Sequence, residues 1–163
     1  MAKEGKKEKP EGILVIKGND EKVDELVDGG GIEALFYIES HGMDKSSVAD
    51  ALKNTILNDL KNEEHILVRS IKFHPVIEKD KFYSGFVECD FATKDLRSLV
   101  YLATRYGPAA IEIMHPDSVT LEKGEMQALL ADVSASVQGL TTKIMELMTP
   151  ELRTKVLRDG LGL

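Results

Sequence analysis

The order of extended and helical segments between residues 32 and 115 constrains the fold more than any other feature of this chain. Apolar and polar residues alternate where a half-buried strand is predicted, and apolar residues recur every three or four positions where a helix is predicted. The segments are a strand at 32–40, a helix at 46–61, strands at 65–76 and 81–91, a helix at 93–106 and a strand at 109–114.

This β-α-β-β-α-β order predicts an α+β, ferredoxin-like fold. Short connections and right-handed crossovers bring the four strands into one antiparallel sheet with the strand order 4-1-3-2. Both helices then cover the same face of the sheet. A long helix over 121–148 and a short amphipathic segment after Pro150 are expected to follow.

Local signals predict where these elements begin and turn. Asp44, Ser46 and Ser47 are candidate caps of the first helix, and Ser47 fits a capping box with Asp50. Thr93 is the candidate cap of the second helix. Residues 77–80 suit a hairpin turn between the two central strands.

Composition divides the chain into four segments. Residues 1–11 are charged and predict a flexible tail. Residues 12–31 predict a short strand, a short helix and a glycine linker, because the triplet at 29–31 lacks the GxGxxG or Walker spacing of a phosphate-binding loop. The ferredoxin-like domain is predicted at 32–118, and a C-terminal helical extension at 119–163.

The long helix carries an apolar residue at alternating steps of four and three. This mean spacing of 3.5 residues is typical of helices that wind around each other. The pattern predicts an interface formed by Met126, Leu130, Val133, Val137, Leu140, Ile144 and Leu147.

A sheet with helices on one face has a second, open face. If the apolar side of each strand faces the helices, the open face carries Tyr37, Phe82 and Phe86, together with alternate residues from Ile66 to His74. Large apolar groups of this kind are normally covered. We expect the long helix, a second subunit or both to cover Tyr37, Phe82 and Phe86.

The net charge of −7 argues against a partner that is bound through a phosphate backbone. RNA-recognition motifs have the same element order, and Gly85-Phe86-Val87 matches the middle of their third-strand signature. Ser84 and Cys89 stand where that signature has aromatic residues. RNA binding is therefore an alternative, and a nucleic-acid partner is not the main prediction.

The single cysteine, Cys89, allows no intramolecular disulfide, which fits a reducing compartment. No apolar run approaches the roughly 20 residues that cross a bilayer. The lysines near the N-terminus are not followed by the apolar region of a signal peptide. These features predict a cytoplasmic protein with no membrane partner.

The candidates for catalysis and metal binding are few. No two of the four histidines have the i, i+4 spacing of helical zinc ligands, and no cysteine accompanies them. No GxSxG elbow is present, and Cys89 is expected to face the core. The sequence predicts no catalytic residue, no metal and no cofactor, with an enzyme that uses His41, His74 and acids of the sheet as an alternative.

The segment at 40–47 is the best candidate for a small-ligand site. It leads from a strand into a helix N-terminus, where free N–H groups and the helix dipole favour an anion. The candidate ligand-binding residues are His41, Lys45, Ser46 and Ser47. Ordinary helix capping explains the same residue types and is the competing interpretation.

Together these patterns predict a non-enzymatic, homo-oligomeric domain with a structural role or a role regulated by a small ligand. One alternative is a metal-dependent enzyme that uses histidine and glutamate residues of the sheet. The other is an RNA-binding protein similar to RNA-recognition motifs. The fold itself does not discriminate among them, because one fold hosts many functions.

Overall fold

The computed structural model describes residues 12–159, and the predicted tail at 1–11 lies outside them. This part of the chain contains six strands and five α-helices, so the predicted α+β class is confirmed. The elements are β1 (Leu14–Lys17), α1 (Asp20–Asp28), β2 (Ile32–Gly42), α2 (Lys45–Lys53), β3 (Ile66–Phe73), β4 (Ile77–Lys79), β5 (Phe82–Thr93), α3 (Leu96–Tyr106), β6 (Ala110–His115), α4 (Lys123–Leu147) and α5 (Pro150–Asp159).

All six strands form one antiparallel sheet with the order β1-β3-β5-β2-β6, and β4 pairs with β5 off this path. The predicted four-stranded sheet with the order 4-1-3-2 does not match this six-stranded sheet, because β1 and β4 add to the path β6-β2-β5-β3. β1 adds to the outer edge of β3, where Leu14 lies opposite Phe73 and Ile16 lies opposite Ile71. The alternation of β1 thereby extends the apolar face of β3 by one strand.

The expected hairpin turn at 77–80 is also wrong. Residues Ile77–Lys79 form β4, with Ile77 opposite Ser84 and Lys79 opposite Phe82. The turn therefore consists of Asp80 and Lys81. Asp80 has a φ of 57°, a left-handed conformation that aspartate tolerates better than most residues.

Of the predicted helix caps, Asp44 of α2 is confirmed and Thr93 of α3 is wrong. Asp44 caps α2, so the capping box from Ser47 to Asp50 is not formed. Asp95 caps α3, where it accepts a hydrogen bond of 2.8 Å from the Ser98 N–H. Thr93, the predicted cap, is the last residue of β5.

The helix predicted at 46–61 changes its winding after Lys53. A π-helical segment, Asn54–Asp59, and a 3-10 turn, Leu60–Asn62, complete it. Asn, Thr and Asp are weak helix formers, and four of the six residues of the π-helical segment belong to these types. The Asn62 side-chain amide donates to the Leu57 carbonyl at 3.0 Å and closes the segment.

The main core lies between one face of the sheet and the helices α2 and α3. Phe36 of β2 and Phe91 of β5 meet edge to face at its centre, with ring centroids 4.8 Å apart. Val48 of α2 and Leu99 of α3 close the core from the helix side.

A bulge in β3 changes which residues face this core. Val68 lies opposite Phe91 and Ser70 lies opposite Asp90, so Arg69 is an extra residue between them. Ile66 and Val68, which were expected on the open face, pack on the core side for this reason. From Ser70 onward the alternation follows the prediction.

Helix α1 covers one end of the opposite face. Val23 of α1 is fully buried but is not part of the core formed with α2 and α3. The Arg69 guanidinium bonds to Asp24 of α1 and to Glu33 of β2, whose side chain points away from that core. Part of the open face is thus covered by a helix that precedes β2 in the chain.

The chain divides into two compact units between Thr120 and Leu121, and the second contains α4 and α5. Glu122 caps α4 in a capping box with Glu125. The Arg153 guanidinium donates to the Met145 carbonyl at 3.1 Å, which links α5 to α4. Over residues 12–159, no helix combines the length and the apolar character needed to cross a membrane.

Candidate functional site

The side chain of Asp44 organises the predicted ligand loop at 40–47. Its Oδ1 accepts three hydrogen bonds of 2.7 Å, from the Ser46 hydroxyl, the Ser47 hydroxyl and the Ser47 N–H. These bonds lower the pKa of Asp44 to about 2. The Ser47 N–H and both serine hydroxyls at this helix N-terminus are therefore already bound by a carboxylate of the chain itself.

The four predicted ligand residues do not lie at one site. The His41 ring is largely exposed, and its Nε2 lies 3.4 Å from Glu39 Oε2. Ser47 takes part in the cap of α2. Lys45 and Ser46, by contrast, line a cavity beside α2.

This cavity, which we call the α2 cavity, has a volume of about 560 Å³. Small-molecule sites in proteins commonly measure about 300–1,000 Å³. Residues from three separate segments line the cavity: Gly12, Leu14, Asp44, Lys45, Ser46, Ala49, Leu52, Lys53, Phe73, His74 and Val76. The cavity thus lies between α2 and the edge of the sheet that β1 and the end of β3 form.

Glycine at position 85 makes room for the apolar wall of this cavity. A Cβ atom on Gly85 would lie 3.0 Å from Leu52 Cδ1 and 3.0 Å from Val76 Cγ2. Such contacts are tighter than ordinary van der Waals packing. Leu52 and Val76 keep their positions because β5 has no side chain at Gly85.

The open face of the sheet carries a row of interacting polar groups. Glu88 is the centre of this row, because it accepts from Lys72 Nζ at 2.9 Å and lies 2.7 Å from His74 Nε2. Burial raises the pKa of Glu88, but the hydrogen bonds and charges of Lys72 and His74 outweigh that effect and lower it overall. These groups are mutually satisfied, as partly buried charges need to be.

Asp90 is the exception on this face. Its Oδ1 is buried and has no hydrogen-bond partner within the described part of the chain. Burial and the neighbouring Glu33 charge raise the pKa of Asp90, although Arg69 opposes them. Protonation at Asp90 would supply a donor toward Glu33 and remove a like-charge pair.

The three aromatic residues expected on the open face have different environments. The Tyr37 hydroxyl donates to Glu112 at 3.1 Å. Phe86 stacks on the His74 ring, with centroids 3.9 Å apart and planes inclined by 14°. Phe82 is 55% exposed at the start of β5, so it alone of the three presents a mostly free side chain.

The groups considered for catalysis or metal binding are distributed rather than clustered. Across residues 12–159, no group of three or more His, Cys, Asp and Glu side chains has the arrangement of a metal site. His41 contacts Glu39, while His74 contacts Glu88 on another strand. Cys89 is buried, and burial raises its pKa to about 12, which suppresses the reactive thiolate.

The seven apolar residues predicted as an interface, here called the α4 seam, all remain accessible in the described chain. Their exposed fractions run from 36% at Val133 to 88% at Leu147. No residue of α4 is buried. A 25-residue helix therefore presents a continuous apolar seam that the described chain leaves exposed.

The middle of α4 has little intrinsic helix stability. Glycine at 139 and the run of Ser and Thr residues around it are poor helix formers. The hydroxyls of Ser136, Thr141 and Thr142 bond back to carbonyls four residues earlier, a contact that slightly weakens a helix. Packing of the seam is the interaction available to stabilise this segment.

One protein-family model matches most of the chain. The family model described as MJ0538 matches residues 33–158, which is more than three quarters of the 163 residues. The chain belongs to the MJ0538 family. This is a family of unknown function, and no curated protein and no solved structure matches the chain.

The match to the MJ0538 family covers the sheet from β2 onward and all of the α4 seam. It begins at residue 33 and therefore does not include β1 or α1. Those two elements supply Leu14 to the α2 cavity and cover part of the open face. The family match thus extends over most of the residues that line the cavity, with Gly12 and Leu14 outside it.

The sequence prediction included only Lys45 and Ser46 among the residues of the α2 cavity. Lys53 had a usable signal, because it lies on the same helix eight residues beyond Lys45. Leu14, Phe73 and Val76 had none, since only the assembly of the sheet brings them to α2.

Proposed function

We propose that this protein is a non-enzymatic homo-oligomer whose chains associate through the α4 seam and whose sheet domain binds a small ligand. One observation carries the proposal: seven large apolar side chains, spaced 3.5 residues apart on average, are all exposed on one helix. A second copy of the same helix is the partner that fits this spacing, because heptad seams are self-complementary.

The positions beside the seam are compatible with a second copy. Between Met126 and Leu147 the flanking positions carry mostly small or neutral residues, among them Gln127, Ser134, Ser136 and Thr141. Like charges at such positions would repel a second copy. Lys143 is the one charged residue at these positions, so little charge repulsion opposes association through the seam.

The non-enzymatic part of the proposal rests on how the polar groups are used. Asp44 caps a helix, and Glu88 is held by Lys72 and His74. Cys89 faces the core. Each of these groups already has a structural role, and a small-ligand role is supported instead by the size and mixed lining of the α2 cavity.

The test is the mass of the chain in solution, measured by multi-angle light scattering at micromolar concentration. Leu140→Glu places a charge within the seam, and Ala135→Glu places the same charge on the opposite side of the same helix. We expect the parent chain and Ala135→Glu to be oligomers. For Leu140→Glu we expect a dissociation constant at least about 100-fold higher, equal to about 2.8 kcal/mol.

Circular dichroism distinguishes dissociation from general unfolding. Because α4 depends on packing, Leu140→Glu should lose the helical signal of α4 while the sheet signal persists. A parent chain that is monomeric at micromolar concentration, with α4 fully helical, would refute the assembly proposal.

The two alternative functions gain no specific support from the arrangement of residues 12–159. A metal-dependent enzyme would need the separated His41 and His74 to meet at one site. An RNA-binding surface would need stacking aromatics in a positive field, whereas Glu39 lies opposite Phe86 and Tyr37 lies opposite Glu88. We therefore propose neither.

A further inference from the structure

The walls of the α2 cavity are apolar for most of their extent. Leu52 and Phe73 form buried parts of the wall, and Ala49 and Val76 are half-buried. Leu14, at the end of β1, is 53% exposed although it faces this cavity. An apolar body placed here would remove an exposed leucine and adjoining apolar surface from water.

Two lysines give the same cavity a local positive charge. Lys45 begins α2 and Lys53 ends it, and both line the cavity. Eight residues of helix separate them by about 12 Å along the axis and about 80° around it, so both border one side of α2. Among the described residues neither lysine forms an ion pair, in a chain whose net charge is −7.

Asp44, the one acid in the lining of this cavity, keeps its negative charge, so two lysines and one aspartate leave the lining with a net charge of about +1. The carboxylate of Asp44 is engaged by the N–H of Ser47 and by the hydroxyls of Ser46 and Ser47. Its oxygen Oδ1 is therefore directed to the helix end, while the lysine ammonium groups have no such partner. The charge complementarity of the cavity favours an anion.

The π-helical segment directly after Lys53 supports a functional role for this end of α2. Segments of this kind are uncommon and occur frequently at functional sites. Here Asn54–Asp59 follows the lysine without a break in the helix.

We propose that the α2 cavity binds a small organic acid with an apolar body, of the class of medium-chain carboxylates. The carboxylate lies at Lys45 and Lys53, and the apolar body lies against Leu14, Phe73 and Val76. The inference rests on the small-ligand part of the proposed function and is independent of assembly through the α4 seam.

Isothermal titration of the full chain with sodium octanoate tests this inference. We expect one octanoate to bind per chain. The variant Lys45→Gln/Lys53→Gln should bind octanoate at least about tenfold more weakly, whereas Lys61→Gln/Lys79→Gln, which removes two exposed lysines outside the cavity, should bind within about twofold of the parent chain. Octylammonium, with the same apolar body and the opposite charge, should bind at least about tenfold more weakly than octanoate.

A second variant tests the place of the apolar body. Ala49→Trp fills the cavity from α2 and should abolish octanoate binding while circular dichroism shows an unchanged fold. If Ala49→Trp misfolds, the test is the Lys45→Gln/Lys53→Gln variant. Weaker octanoate binding by that variant, with a native circular dichroism spectrum, supports the inference. No binding of octanoate by the parent chain at millimolar concentration, or equal binding by the lysine variant, would overturn the inference.

Light scattering on the same samples separates this inference from the assembly proposal. An oligomeric parent chain that does not bind octanoate overturns only the ligand class. A monomeric parent chain that binds octanoate through Lys45 and Lys53 supports the ligand class and refutes assembly through α4.

Discussion

Arg69 joins α1 to the sheet, and its replacement by methionine should destabilise the fold in a way that depends on Glu33. The Arg69 Nε lies 2.5 Å from Glu33 Oε1, and its Nη2 lies 2.6 Å from Asp24 Oδ1. Arg69→Met keeps the apolar stem of the side chain but removes both bonds. It also removes the Arg69 charge that opposes the rise in the pKa of Asp90 next to Glu33.

The burial of the partners sets the expected magnitude. The side chains of Arg69 and Glu33 are 23% and 16% exposed, so their charge-assisted bond contributes about 1.5–3 kcal/mol. Asp24 is 63% exposed, and its bond contributes about 0.2–1 kcal/mol. Arg69→Met should therefore lower the free energy of unfolding by about 2–4 kcal/mol, which lowers the Tm by roughly 5–15 °C for a chain of this length.

Urea unfolding followed by tyrosine fluorescence measures the free energy of unfolding of the unit that contains the sheet. The chain has four tyrosines and no tryptophan, and Tyr37, Tyr83, Tyr101 and Tyr106 all lie before residue 121. The four proteins of a double-mutant cycle are the parent chain, Arg69→Met, Glu33→Gln and the double variant.

We expect a coupling energy of about 1.5–3 kcal/mol between the two positions, because Arg69 has lost its main partner once Glu33 is glutamine. Additive costs, with a coupling below about 0.5 kcal/mol, would refute the assignment of this ion pair as the attachment of α1.

Two further predictions follow from backbone geometry and helix capping. Gly18→Ala should prevent the native path from β1 to α1, because the new Cβ would lie 1.7 Å from the Val68 carbonyl oxygen; hydrogen exchange would show loss of protection in β1 and α1. Asp95→Ala should lower the free energy of unfolding by about 1 kcal/mol at neutral pH through loss of the α3 cap. Burial raises the pKa of Asp95, but bonds from Ser98 outweigh it and lower the pKa overall. The cap therefore stabilises the fold above the pKa of the unfolded chain and loses its effect as the pH falls through the lower folded pKa, so urea titrations of parent and variant should converge in acid.

The sequence predicted the elements whose periodicity is set by one buried face. The alternation of Ile32, Ala34, Phe36 and Ile38 identified β2, and the structure buries all four side chains. The predictions failed where a choice between neighbouring polar residues decided the outcome. Asp95 rather than Thr93 caps α3, and short-range patterns do not rank such candidates.

The candidate site was predicted only as far as one helix extends. Lys45 and Ser46 were identified because they precede an apolar helical stripe, and both line the α2 cavity. Leu14 and Phe73 meet there because β1 pairs with β3 across more than fifty residues of chain. No local pattern specifies such a pairing, since a short strand such as β1 has several sheet edges available to it.

The bulge at Arg69 shows why one long-range feature changed several predictions together. The Arg69 carbonyl accepts the Gly18 N–H at 2.8 Å, and the Val68 carbonyl accepts the Asn19 N–H at 3.2 Å, so the chain that leaves β1 is held at the bulge. The extra residue turns Val68 to the core and lets Arg69 reach Glu33 on the other face. Without the bulge, Val68 would lie on the same face as Ser70, and Arg69 would point to the core. Helix α1 would then lose its ion pair with the sheet. The edge strand, the bulge and the cover of the open face are therefore one structural unit, which explains why a prediction that omitted β1 from the sheet also misplaced Ile66 and Val68.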